Sequence, residues 1–366
     1  MKRIFLSLLA VVSAVAWPGT CFADEKPIKA GFVYVSPANE AGWSYAHDQG
    51  RKAVAAIPGV TTMMAESVPE GRESERVIEV MAQQGCDIIF TTSFGYMEPT
   101  AAVAKRYPDK TFLHCSGYKT AANLSSYFGR MYQARYLTGL VAGAMTRSGV
   151  IGYAAAFPIP EVLRGINAFA LGARSVNPTA EIRIFWTRTW WDMVKEKEAV
   201  RKLVASGADV IAQHQDSPAP QQAAEELGVY SVGYNTDMST FAPKAHLVAA
   251  IWDWAPFYAD VLTKVRNGQW ASGSFWPGLE SGIVGISSFG PMVPPEMQNR
   301  VRQDREAIIK GELAIFTGPL RDHNGRLRFG EGESLSDKEM LNMDWFVEGV
   351  TELADDAAGG TIRPPL

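Results

Sequence analysis

Short, continuous apolar runs alternate along the chain with segments in which apolar side chains recur every three or four positions. Runs of the first kind predict strands, and segments of the second kind predict amphipathic helices. A strand is expected over 28–35, followed by helix 43–56, strand 60–65, helix 73–85, strand 87–92, helix 99–107 and strands 111–116 and 124–129. The strand runs, such as Asp87-Ile88-Ile89-Phe90-Thr91-Thr92, do not alternate with polar residues. They suit a parallel sheet covered by helices on both faces. Helix 73–85 turns Val77, Ile78, Val80 and Met81 to the sheet and its charges outward.

The pattern then restarts. Helix 132–146 leads into strand 150–156, helix 160–175, strand 182–186, helix 192–206, strand 209–213, helix 219–227 and strand 229–233. Lys29-Ala30-Gly31-Phe32 aligns with Val150-Ile151-Gly152-Tyr153, and Gly85-Cys86-Asp87-Ile88-Ile89 with Gly207-Ala208-Asp209-Val210-Ile211. The two offsets are nearly equal, so an internal duplication producing two α/β lobes is expected. Beyond it lie strand 246–251, helix 255–265, strand 281–286 and helix 295–309. The simplest assignment returns the chain to the first lobe and then to the second. Lobe one is 24–128 with 250–280, and lobe two is 129–249 with 281–329. Several connections then cross between two doubly wound parallel sheets, forming a hinge. Residues 330–366 are read as a tail on a lobe surface.

The N-terminus carries Lys2 and Arg3, an apolar run to Trp17, and Cys21-Phe22-Ala23. This reads as a signal peptide over 1–23, with lipidation at Cys21 as the lesser alternative. An exported, periplasmic protein is expected, since no later stretch has the length of apolar residues that a membrane span needs. Cleavage would take the formal charge from −4 to −6, which argues against nucleic acid as a partner. Cys86 and Cys115 would remain, read as buried free thiols, with a disulfide between them left open. The five histidines have no metal-ligand spacing. There is no nucleophile elbow, phosphate loop or dinucleotide fingerprint. His47 and Asp48 are adjacent on a helix and diverge, so they do not form an acid–base pair. A bilobed protein without catalytic apparatus, metal or cofactor is most simply a receptor whose lobes close on a solute. A monomer is expected.

In such a sheet, ligands bind beyond the carboxyl ends of the strands. The loops there hold Asn39 and Trp43, then Phe94 and Tyr96, then Ser116 in lobe one. Lobe two supplies Phe157-Pro158, Trp190, Trp191 and Asp192, then His214-Gln215-Asp216, then Tyr234, Asn235 and Asp237. Flat rings from both lobes with few cations suit a neutral aromatic heterocycle. Its faces would stack on the rings, and its ring N–H and amino groups would donate to Asp or Asn. At least one of Trp190 and Trp191 is expected to touch ligand, and Asp192 is a natural helix N-cap.

Ala41-Gly-Trp-Ser-Tyr-Ala-His-Asp-Gln-Gly50, Thr92-Ser-Phe-Gly-Tyr-Met97, Tyr136-Leu-Thr-Gly-Leu-Val-Ala-Gly143, Gly207-Ala-Asp-Val-Ile211 and Val232-Gly-Tyr-Asn-Thr-Asp237 together resemble the basic membrane protein family of exported solute-binding proteins. These are relatives of purine nucleoside receptors of bacterial ABC importers. The resemblance covers nearly the whole mature chain. It implies a type I periplasmic-binding-protein fold, a purine between the lobes and permease subunits in the inner membrane as partners. It also implies that Trp43 and Trp190 stack on the base, that Phe94 faces the ligand, and that Asn235 and Asp237 sit in a loop with an acidic ligand contact. The chain departs from nucleoside-binding members in three places. Ala249-Ala-Ile-Trp-Asp-Trp254 lacks a lysine, Asn39-Glu40 replaces an Asn-Asp pair, and Asn235 replaces an Asp. A free base such as adenine is therefore expected ahead of a nucleoside. A sugar or autoinducer receptor is the nearest rival, and a secreted nucleoside hydrolase or a transcription regulator is further off.

Overall fold

The computed structural model describes residues 26–39 and 41–354. The expected signal peptide, the alternative at Cys21 and positions 355–366 of the tail lie outside the described residues. The first six-stranded sheet begins with β1 (Ile28–Val33), α1 (Trp43–Ala55), β2 (Val60–Ala65), α2 (Arg72–Gln83), β3 (Ile88–Thr91), α3 (Met97–Arg106), β4 (Thr111–Cys115) and β5 (Leu124–Tyr127). The chain then passes to α4 (Met131–Met145), β6 (Val150–Ala155), α5 (Pro160–Val176), β7 (Glu181–Trp186), α6 (Met193–Ala205), β8 (Val210–His214), α7 (Ala219–Glu226), β9 (Tyr230–Asn235) and β10 (His246–Trp252). It returns with α8 (Ala255–Arg266), which packs on α1, and β11 (Ser274–Phe275), which pairs with β5. It crosses a third time to β12 (Val284–Ile286) and α9 (Pro295–Ile309).

The two sheets repeat one strand order. The first reads β2-β1-β3-β4-β5-β11, and the second β7-β6-β8-β9-β10-β12 with one further strand outside β7. The first sheet is parallel throughout. In the second, β12 alone runs antiparallel, against β10. The duplicated Gly31 and Gly152 have one physical cause. A Cβ on Gly31 would stand 2.8 Å from Met81 Sδ of α2, and one on Gly152 would stand 2.9 Å from Leu203 Cβ of α6. In both lobes a bare glycine lets the crossover helix lie close against the first strand. Buried apolar side chains fill both faces of each sheet, as the unbroken strand runs require.

Three expectations are adjusted. The boundary at 249/250 falls inside β10, and the passage occurs after Trp252. The strand expected over 281–286 is cut to its last three residues, because a turn over 279–281 and left-handed Gly282 (φ 78°) precede it. The tail does more than lie on a surface. After a small hairpin, β13 (Leu320–Arg321) and β14 (Leu327–Phe329), it forms α10 (Asp337–Leu341) against α5. It then adds β15 (Val350–Glu352) in parallel to β7 and buries Met343, Phe346 and Val347. Cys86 and Cys115 are buried and free, and burial pushes the Cys86 thiol up to about 11.

Helices α4 and α5 pack through glycines. A Cβ on Gly139 would fall 2.1 Å from the Phe169 carbonyl oxygen, and one on Gly172 the same distance from that of Tyr136. Backbone cannot yield as a side chain can. Gly139→Val should therefore cost at least the ~1–3 kcal/mol of an overpacked core and visibly lower the thermal unfolding midpoint. An unchanged midpoint would mean that the helices do not approach this closely.

Candidate functional site

The carboxyl ends of the strands in both sheets meet across a cleft. Val35, Trp43, Ser93, Phe94 and Ser116 line it from the first lobe, and Glu161, Trp190, His214, Asp216 and Tyr234 from the second. The unfilled space among them, mouth included, is about 310 Å³, but only about 20 Å³ lies far enough from the walls to seat a water molecule. That contrast describes a thin slot rather than a round chamber.

Each wall is held from behind. Trp43 opens α1, and its Nε1 donates to the carbonyl of Thr92 at the end of β3. Its ring meets His47 edge-on at 4.3 Å, Trp252 at 5.7 Å and Trp254 at 6.0 Å. The Phe94 loop is pinned by Glu70, which accepts from Ser93 Oγ at 2.6 Å and from the Gly95 amide at 2.9 Å. Trp190 packs edge-on to Phe157 at 5.0 Å, and its carbonyl accepts the Asp216 amide at 3.0 Å. The lobes touch beside the slot. A Cβ on Gly42 (φ 96°) would overlap the Asp216 carbonyl oxygen at 1.8 Å, and the Gly42 amide faces Thr236 Oγ1 at 3.4 Å.

The polar groups of the slot have their charges suppressed. Asp216 is 5% exposed, and no group among the described residues hydrogen-bonds its carboxyl. Burial, with Glu196, Glu161 and Glu70 nearby, pushes its pKa well above the carboxylate range. Burial likewise raises Glu161 to about 7, against the opposing pull of the Ser116 hydroxyl and the Arg164 guanidinium. His214 is held well below the ordinary histidine value by burial and by Arg135 and Arg164. A neutral carboxyl and a neutral imidazole each offer a donor and an acceptor at once. Among the described residues, no group of three or more His, Cys, Asp and Glu could hold a metal ion.

A family model described as ABC transporter substrate-binding protein, PnrA-like, matches residues 28–316. The chain belongs to the Bmp family. Its members are substrate-binding proteins of ABC importers, which take up a small-molecule ligand outside the cytoplasm and work with permease subunits. Among the relatives of this Bmp protein, a purine-binding protein of Brucella abortus is 41% identical over 94% of this chain and 99% of its own. A protein of Haloferax volcanii, named provisionally as the glucose-binding component of an ABC transporter, is 42% identical over 90% of this chain and 81% of its own. Solved solute-binding proteins of ABC transporter systems from Aeropyrum pernix (16% identity, TM-score 0.70, covering 88% of this chain and 100% of that one) and Conexibacter woesei (23%, 0.65, 78% and 97%) share the type I periplasmic-binding-protein fold. No helix among the described residues is long and apolar enough to cross a membrane.

Of the residues singled out in the sequence, the structure brings Trp43, Phe94, Ser116, Trp190, His214, Asp216 and Tyr234 together around the slot. Asn39, Tyr96, Asp192, Asn235 and Asp237 lie outside its lining. Asn39 is exposed on the loop before α1. Tyr96 is buried in the first lobe and donates to the Val68 carbonyl. Asp192 caps α6, accepting from the amides of Val194 and Lys195, while Trp191 is 42% exposed. Asn235, left-handed at φ 70°, accepts from Trp252 Nε1 and donates to the Gln215 carbonyl. Asp237 accepts the Ser239 amide and faces His246 at 3.9 Å. His47 turns inward to Tyr258, and Asp48 turns away to Arg51 and Lys52, so the adjacent pair does diverge. Glu161 was not singled out. Its signal was an acid in the first turn of a helix that follows the β6 strand end.

The raised acids have a sign in solution. Glu161 and Glu196 each sit at about 7 in the folded chain, with burial as the main cause, against about 4.3 for an unperturbed glutamate. Between those values the folded state holds protons that the unfolded state has released, so stability falls as pH rises. The ligand-free protein should lose stability from pH 5 to pH 8. Glu161→Gln and Glu196→Gln should each flatten that slope in urea titrations followed across pH. An equal slope in both variants would remove these carboxyls as its source.

Proposed function

We propose that this Bmp-family protein carries a purine to its permease, with a free base such as adenine as the preferred ligand, and that it does so as a monomer. The observation that carries the reading is Asp216, a buried carboxyl with no hydrogen-bonding partner among the described residues, set in a thin slot walled by Trp43, Phe94 and Trp190. A buried polar group left unpaired costs about 1–3 kcal/mol. A planar heterocycle can repay that cost at its edge while its faces stack on the rings. The purine-binding relative at 41% identity supports the same reading.

A nucleoside is the second reading, and one feature favours it. A roomier cavity, where about 320 Å³ would seat water, adjoins the slot through Val35 and Trp190 and is lined by Ser36, Ser67, Glu70 and Thr189 among others. A sugar joined to the base could stand there. Glucose alone, suggested by the name of the Haloferax relative, suits the thin slot less well, because a pyranose is not planar.

Titration of the purified protein with adenine, hypoxanthine, guanine, adenosine and glucose tests the proposal. Saturable binding of adenine is expected, without competition from glucose. Trp43→Ala should weaken adenine binding by ~1–3 kcal/mol, as loss of one stacking partner does. Absence of saturable binding to every purine would reject the reading, and unchanged affinity in Trp43→Ala would take Trp43 out of the site.

A further inference from the structure

Behind the slot in the second lobe, three side chains form a column. Arg135 is fully buried and donates from Nη1 to the Gln213 carbonyl at 2.8 Å. Its guanidinium lies 3.6 Å from the ring centre of Tyr234. Tyr234 in turn packs on the imidazole of His214 at 4.6 Å. His214 lines the slot between Trp190, 6.3 Å away, and the Asp216 loop.

Neither imidazole nitrogen of His214 hydrogen-bonds to a protein group among the described residues. Nδ1 is buried without a partner, which leaves Nε2 as the nitrogen on the slot side. In most buried histidines the bond made by one nitrogen decides where the proton sits, and so decides what the other presents. Here no protein group makes that choice. The surroundings keep the ring neutral. Burial, Arg135 and Arg164 all disfavour a second proton, and burial raises the carboxyls of Asp216 and Glu161 on the slot side above their ordinary values.

We infer that His214 is a specificity-determining residue that adapts to its ligand: its unanchored imidazole donates from Nε2 to a 6-oxo purine and accepts at Nε2 from a 6-amino purine. One slot would then read hypoxanthine and adenine with similar affinity. The two bases present opposite patterns at that edge. Adenine has an amino donor beside an acceptor ring nitrogen, and hypoxanthine has an oxo acceptor beside a donor N–H. A side chain of fixed polarity would match one and leave a buried unpaired atom against the other. Arg135 is a positioning residue in this arrangement, since it acts on His214 through the ring of Tyr234.

The inference rests on the purine reading of the slot, and its test separates the two. The experiment uses the whole protein with ¹⁵N-labelled histidine, loaded in turn with adenine and with hypoxanthine. His214→Gln identifies the signals, and isothermal titration gives the affinities. The expected result is that the Nδ1 and Nε2 shifts of His214 exchange character between the two complexes, with dissociation constants within about tenfold of each other. His214→Leu should weaken both bases by about tenfold or more, the scale of one buried hydrogen bond. His214→Gln, whose amide can turn either way, should weaken them less. One tautomer in both complexes, no shift on loading, or unchanged affinities in His214→Leu would overturn the inference while leaving purine binding intact. Failure of either base to bind saturably would overturn the purine reading, and the inference with it.

Discussion

The first wall of the slot depends on where the chain crosses between lobes for the second time. Trp252 closes β10 in the second sheet, and Trp254 stands two residues later at the start of α8 in the first lobe. Their rings stack at 4.7 Å and 15°. Trp43 stands edge-on to both, and His47 stacks on Trp254 at 4.6 Å. The slot-facing indole is therefore packed against the segment by which the chain crosses between the lobes. Edge-to-face contacts of this kind are worth roughly 0.5–1.5 kcal/mol each beyond burial, so several of them hold Trp43 at a defined angle. This binds the geometry of the slot to the state of the hinge.

The second lobe meets the same requirement with hydrogen bonds. Asn235 receives a bond from Trp252 and gives one to the Gln215 carbonyl, and the Gln215 side chain donates to Thr187 at 2.7 Å. The Asp216 amide then donates to Trp190. The crossing, the Asp216 loop and the Trp190 loop are thus one connected frame. Left-handed Asn235 suits the first position in that frame, because asparagine tolerates a positive φ better than most residues.

This explains what was legible in the sequence and what was not. Strand and helix order could be read because a doubly covered sheet demands unbroken apolar runs, and the duplication because close helix packing demands glycine at Gly31 and Gly152 alike. Trp43, Phe94, Trp190 and Asp216 could be placed because strand ends in such a sheet point into the cleft. Asn235 and Tyr96 could not be told apart from them, since position after a strand does not say which way a side chain turns. Tyr96 goes to the core because Glu70 pins the loop on either side of Phe94. Glu161 escaped notice because its pattern is that of any acid at a helix start. The addition of β15 depends on a distant edge, which no local pattern in the tail reveals.

The burial of Asp216 is the strongest reason to think of the closed cleft as a loaded shape. In the open form the carboxyl would meet water and ionise at little cost. Closing on nothing would strip that water, put a proton on the carboxyl and leave it with no hydrogen-bonding partner, so the empty closed form is penalised. Closing on a ligand that supplies an N–H removes the penalty. On the proposed reading, the group that pairs with the ligand also makes closure conditional on it. Gly42 lets the loops of the two lobes meet, because a Cβ there would stand 1.8 Å from the Asp216 carbonyl oxygen. On that reading, selection and closure converge on one residue of the second lobe, Asp216.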